Sequence, residues 1–182
     1  MVLAGLTVLM TACSSGHGGT TTSQSAASAT PSGLSEPLWN PCEQLSDDAL
    51  RATKADPASK KVAIDSGQAV DAFTKVCEWR SVEGPYGVGV GSMRATQAQA
   101  RSNTSWVGFR DVTIGPRQGL IYQDKTDAEG DKLSCYVNVP YAQGSIEVSV
   151  DWSYGERATA PQLPPCDLAV RHATELEPYF PK

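Results

Sequence analysis

The chain has 182 residues and a formal net charge of −5, with a sequence pI near 5.0. Its first charged residue is Glu36, so every acidic and basic group lies from there onward, in a stretch long enough for one domain with a real core. No run of Lys or Arg forms a basic stripe, which excludes a phosphate-driven nucleic-acid partner and charge-driven attraction to anionic lipid. No apolar run reaches the roughly 18 residues that a spanning helix needs.

Residues 1–12 read MVLAGLTVLMTA and end at Cys13. A short apolar stretch closing on small residues is the pattern of a secretory signal peptide. Residues 9–13, Leu-Met-Thr-Ala-Cys, resemble a bacterial lipobox, in which cleavage precedes the cysteine and its thiol carries diacylglycerol. Met10 stands where Leu is usual. The positive n-region is missing, so a start upstream of Met1 is expected. Residues 14–35 are almost purely Ser, Thr, Gly and Ala. Such a segment buries too little apolar surface to offset its ordering entropy, so residues 13–36 are expected to be a lipidated cysteine on a disordered tether. Cys13 would then hold the protein on the outer face of the membrane, and residues 37–182 would form a single globular domain.

Five cysteines are present: Cys13, Cys42, Cys77, Cys135 and Cys166. Lipidation of Cys13 leaves four, which in an oxidising compartment form two disulfides with three possible connectivities. The sequential pairing, Cys42–Cys77 and Cys135–Cys166, is expected here. No C-x-x-C pair and no histidine cluster supports zinc, and no metal site is expected.

Pro41 and Cys42 open the folded part. Ser46 followed by Asp47 and Asp48 reads as a helix N-cap with an acidic first turn, giving a short helix through Ala49, Leu50 and Thr53 that ends before Pro57. Residues 61–64 and 76–82 read as strands, the second with Cys77 and Trp79 on one face. Residues 87–93 alternate Val with Gly, and the glycines point to close backbone approach. Residues 95–104 look helical. Residues 112–114 and 119–123 form two short strands around a Gly115-Pro116 turn. Leu133, Cys135, Val137 and Val139, then Ile146, Val148, Val150 and Trp152, alternate with polar residues and predict an antiparallel hairpin. Matching the apolar faces pairs Val139 with Ile146, Val137 with Val148 and Cys135 with Val150. A final helix follows Pro164-Pro165, with Cys166, Ala169, Val170, Ala173 and Leu176 as its apolar stripe, and stops at Pro178. The expected fold is α+β: an antiparallel β-sheet with N- and C-terminal helices packed mainly on one face and pinned by two disulfides.

The motifs Asn-Pro-Cys-Glu-Gln-Leu at 40–45, Cys-Glu-Trp at 77–79, the strand cysteine at 135 and Pro-Pro-Cys-Asp-Leu-Ala at 164–169 resemble an actinobacterial lipoprotein family. It is the mycobacterial Lpr type, filed as a domain of unknown function. The resemblance covers roughly residues 37–180. It implies an envelope location and disulfide bonding, and it implies no activity.

No catalytic constellation stands out. His17 falls in the tether, and His172 is read on the solvated side of the last helix. No G-x-S-x-G elbow supports a Ser-His-Asp triad. Asp124, Asp127, Glu129 and Asp131 cluster, but their spacing does not fit an EF-hand, so they read as a solvated hairpin loop. The candidate ligand-facing residues are Trp106, Phe109, Tyr136 and Tyr141, while Trp79 and Trp152 are read as core. The expected function is a non-catalytic binding or interaction module of the cell envelope, not an enzyme, with no cofactor. Its partners are then the membrane, through Cys13, and an envelope protein or ligand. The alternatives are a carrier of a lipid or other apolar ligand and a cell-wall enzyme using carboxylate chemistry.

Overall fold

A computed structural model describes residues 36–65, 73–130, 132–155 and 163–182, all within the compact unit Pro31–Lys182. Cys13, His17, the tether and Asp131 lie outside the described residues. The strands are β1 (Lys61–Asp65), β2 (Thr74–Arg80), β3 (Tyr86–Met93), β4 (Trp106–Ile114), β5 (Arg117–Asp124), β6 (Ser134–Tyr141) and β7 (Gly144–Trp152). They form one antiparallel sheet in the order β1-β2-β3-β7-β6-β5-β4. The β6–β7 register matches the expected one, with Val139 opposite Ile146, Val137 opposite Val148 and Cys135 opposite Val150. A one-residue slip of either strand would send its three apolar side chains to the other face. The hairpin turn is tight, because pairing continues to Tyr141 and Gly144. Gly144 has φ of +143°, and a Cβ there would collide with the Met93 carbonyl oxygen.

Cys77, Trp79, Val88, Val90, Cys135, Val137, Val139, Ile146, Val148, Val150 and Trp152 line one face of the sheet, all buried. Three helices cover that face: α1 (Pro41–Gln44), α2 (Asp47–Ala52) and α5 (Pro165–Leu176). Each short helix is closed by a side-chain cap. Asn40 Oδ1 accepts from the Cys42 N–H at 3.1 Å, and Ser46 Oγ from the Ala49 N–H at 3.2 Å. The two disulfides are Cys42–Cys77 and Cys135–Cys166. The first ties α1 to β2 and the second ties α5 to β6. The observed α+β architecture is the expected one.

Three local expectations change. The fourth and fifth strands are longer than residues 112–114 and 119–123, because their polar positions sit on exposed faces and hide the period. The acidic stretch after residue 124 contains a one-turn helix, α4 (Lys125–Glu129), capped by Asp124. There Asp127 is structural, accepting from the Leu133 N–H, the Ser134 N–H and Ser134 Oγ at 3.0, 2.9 and 2.8 Å. His172 is not solvated: it is fully buried, on the stripe formed by Leu168, Ala169, Ala173 and Leu176. Position 172 is four residues from both Leu168 and Leu176, so helical spacing itself turns it inward.

His172 is satisfied there. Its Nδ1 lies 2.7 Å from Thr53 Oγ1, which donates to Glu175 Oε2 at 2.8 Å. Because the Thr53 proton is committed to Glu175, Nδ1 carries the imidazole proton and Nε2 is left to accept from Tyr86 Oη at 3.3 Å. This is a neutral histidine, and burial first, then Arg171, lowers its pKa to about 4.

Candidate functional site

The other face of the sheet is open over its centre. Alternation in β3 sends Val88 and Val90 into the core and Gly87, Gly89 and Gly91 to the open face. That strand therefore offers the open face no side chains between Tyr86 and Met93. The flanking strands do, with Glu78 and Arg80 from β2 on one side and Glu147, Ser149 and Asp151 from β7 on the other. The result is a glycine-floored trough. A cleft of about 400 Å³ sits on it, lined among others by Lys61, Glu78, Arg80, Gly87, Gly89 and Asp151. A Cβ at Gly89 would meet Ser149 Oγ, so a side chain there would turn that hydroxyl aside.

Beyond β7 the open face turns aromatic. Tyr136 on β6 and Tyr122 on β5 are register partners, with ring centroids 5.7 Å apart and planes 16° from parallel. Trp106 on β4 lies 5.1 Å from both. An irregularity between Val107 and Arg110, with Gly108 at φ +70°, turns β4 so that Phe109 also reaches Tyr122, at 5.9 Å. Such a bulge re-aims side chains at a sheet margin. The end of this surface is covered by helix α3 (Gln97–Ser102). Its Gln97 Nε2 donates to the Gln118 and Asn138 carbonyls at 2.9 Å each, and Arg101 pairs with Asp111 and lies over the Phe109 ring.

Three of the four candidate aromatics thus converge: Trp106, Phe109 and Tyr136. Tyr141 does not join them. Its hydroxyl donates to Gln143 Oε1 at 3.1 Å, and it lines a separate cleft with Trp39 and Pro181. Tyr122 was missed, although it is the ring the others meet. It lies in a run, residues 119–122, that is buried on both faces, so no period-two signal marks it. Trp79 and Trp152 are core, as expected.

Two carboxylates stand beside the rings. Tyr122 Oη donates to Glu147 Oε2. Burial, and secondarily Asp151, raise the Glu147 pKa to about 7 against the opposing hydrogen bond from Tyr122. Burial, then the charges of Glu78 and Asp127, raise Asp151 to about 6. Asp151 keeps much of its surface in solvent, and its displacement is the smaller of the two. Burial also pushes Tyr136 up to about 12 and Tyr122 higher still. The charges acting on Glu147 and Asp151 are acidic, while Lys61 and Arg80 stand on the β1–β2 side of the same trough. Asn138, directly opposite Glu147, is 1% exposed, and its Oδ1 has no hydrogen-bond partner among the described residues.

Among the described residues no group of three or more His, Cys, Asp or Glu is placed to hold a metal ion. Thr53 and His172 are wholly buried, so their pairing is structural. A family model described as "Protein of unknown function (DUF3558)" matches residues 8–179. The chain belongs to that family. No curated protein and no solved structure matches it. The DUF3558 match takes in all four bonded cysteines and every residue of the open face named above.

Proposed function

We propose that this DUF3558 protein is a cell-envelope lipoprotein of the actinobacterial Lpr type, anchored through a lipid on Cys13. Its folded domain is a non-catalytic binding module that works through the open face of its sheet. The observation that carries this reading is the convergence of Trp106, Tyr122 and Tyr136 with Glu147 and Asp151 beside a glycine-floored trough. The part-exposed Trp106 and Tyr136 rings and the carboxylates with raised pKa values cost stability, and a binding surface is where that cost has a use.

The location is supported by two further facts. Cys42, Cys77, Cys135 and Cys166 pair with one another, which leaves Cys13 as the odd thiol of a chain with five. The family match also begins at residue 8, within the apolar segment before Cys13. No helix among the described residues is long and apolar enough to cross a membrane.

Mass spectrometry of the N-terminal peptide from native membranes tests the anchor. A mature chain beginning at a diacylglyceryl-modified Cys13 is expected. An unmodified Cys13, or a mature protein beginning elsewhere, rejects it.

A further inference from the structure

The hydrogen bonds around Asn138 need one more proton than its neighbours supply when Glu147 is ionised. Ser145 is fully buried, and its Oγ lies 2.7 Å from the Ala95 carbonyl oxygen, one residue before the Thr96 cap of α3. A carbonyl only accepts, so the Ser145 hydroxyl donates to it. Ser145 Oγ then accepts from Asn138 Nδ2, at 2.8 Å. That fixes the amide, with Nδ2 on Ser145 and Oδ1 left without a partner among the described residues. Glu147 is the register partner of Asn138, and side chains so placed have Cβ atoms about 4.5 to 5.5 Å apart. The Tyr122 hydroxyl, bonded to Glu147 Oε2, also acts on the Asn138 amide.

Two acceptors, the Glu147 carboxylate and Asn138 Oδ1, therefore share one donor, the Tyr122 hydroxyl. One proton does not serve both, and a buried carbonyl oxygen left unpaired is costly. A second proton, on Glu147, satisfies all three groups whichever way the Tyr122 hydroxyl turns. The surroundings favour it. Around Glu147 stand Asp151 on its own strand, Tyr136 and Asn138 on β6 and Tyr122 on β5, and the β3 position opposite is Gly91, which brings no side chain. From α3, Gln97 Nε2 is bonded to the Gln118 and Asn138 carbonyls, and Arg101 is paired with Asp111. Burial, and then the like charge of Asp151, hold the Glu147 carboxyl at about 7.

We propose that the proton on Glu147 is a catch for helix α3, completing a hydrogen-bonded chain from Tyr122 through Glu147, Asn138 and Ser145 to the Ala95 carbonyl. When it leaves to solvent, the Asn138 amide turns Nδ2 to the carboxylate. Ser145 Oγ then donates to Asn138 Oδ1 in place of Ala95, and residues 95–102 lose their tie to the β6–β7 turn. Because α3 covers one end of the open face, with Arg101 over the Phe109 ring, the proton sets how much of the aromatic surface is uncovered. That consequence rests on the reading of the open face as the working surface, and the catch itself does not.

Two measurements on the full chain, extracted from membranes in a neutral detergent, test the catch. The first is a carbon-13 titration of the Glu147 carboxyl, assigned by its loss in Glu147→Gln. Its midpoint is expected at about 7, and a midpoint in the ordinary carboxylate range overturns the proposal. The second is amide hydrogen exchange of residues 95–105 by mass spectrometry, corrected for the intrinsic effect of pH, at about pH 5.5 and about pH 8.5. The parent loses about threefold or more of its protection at the higher pH, while peptides from β6 and β7 keep theirs. Glu147→Gln accepts from Tyr122 and donates to Asn138 Oδ1 at any pH, so it keeps the stronger protection throughout. Ser145→Ala cuts the tie and shows the weaker protection at both values.

Protection of residues 95–105 that does not change with pH in the parent overturns the catch, as does an unchanged pH response in Glu147→Gln. The open-face reading fails separately, on equal oxidation of Trp106 and Tyr136 in cells and in isolation.

Discussion

Two groups, the part-buried Glu147 and the buried His172, make the stability of this domain respond to acid in opposite senses. The Glu147 pKa is raised from 4.5 to about 7, so the fold favours its protonated form. That contribution is complete below pH 4.5 and is lost as pH rises through 7. The His172 pKa is lowered from 6.5 to about 4, so the fold favours the neutral ring. Its contribution is complete above pH 6.5 and is lost as pH falls through 4. At about 1.4 kcal/mol per pH unit, each displacement corresponds to at most about 3.5 kcal/mol. Over the shared window, from about pH 4.5 to 6.5, these two slopes oppose each other, and the raised Asp151 adds a smaller fall that ends near pH 6. Glu147→Gln removes one slope and keeps an oxygen for Tyr122 Oη. Relative to the parent it should be neutral near pH 4 and about 2 to 3 kcal/mol more stable near pH 8. Its stability should rise with pH across the window. His172→Gln should fall with pH over the same range, and the double variant should lie between the two single variants, keeping only the smaller fall from Asp151. Urea unfolding at half-unit pH steps, followed by tryptophan fluorescence with the disulfides intact, gives all four profiles. Parallel profiles for the two single variants would refute the assignment of these two groups as the opposing terms.

Other consequences follow from the same geometry. Removing the Cys135–Cys166 bond with paired serines, across a sequence separation of 31, should cost about 4 kcal/mol on the chain-entropy account, read as the loss in urea-unfolding free energy. Gly144→Ala forces a Cβ into the Met93 carbonyl at a φ of +143° and should destabilise by about 3 kcal/mol or more, whereas Gly155→Ala, with open space around it, should be near neutral in the same melts. Arg117 is buried against Glu177 at 3.1 Å and also donates to the Pro140 and Pro181 carbonyls at 2.9 and 2.6 Å. Arg117→Met leaves Glu177 buried without its charge partner and should cost about 3 to 5 kcal/mol at neutral pH, a loss that Glu177→Gln in the same chain should partly restore.

The β6–β7 hairpin, both disulfides and the terminal helices are legible in the sequence because each has a strong local signature. Val137 and Val148 lie on strands with a clean period of two, and Ser46 and Pro165 mark helix starts. Other features depend on tertiary pairing. Arg110, Asp111 and Gln118 are strand residues on exposed faces, so β4 and β5 read short. His172 reads as solvated by residue type, although its spacing from Leu168 and Leu176 places it inside. Of the site, Trp106, Phe109 and Tyr136 are found as exposed-type aromatics in strands or at their ends. Tyr122, Glu147 and Asp151 are not, because only the β5-β6-β7 order brings them together. The glycines of β3 are visible as a pattern, but that they floor a trough follows only from their neighbours in the sheet.

The central claim is that the open face is the surface with which this protein works. Hydroxyl-radical footprinting reaches it most directly, comparing intact cells with the purified full chain. Trp106 and Tyr136 should be oxidised more slowly in cells than in the purified protein, while the exposed Tyr154 and Tyr179 react alike in both. Equal oxidation of Trp106 and Tyr136 in cells and in isolation would contradict the account.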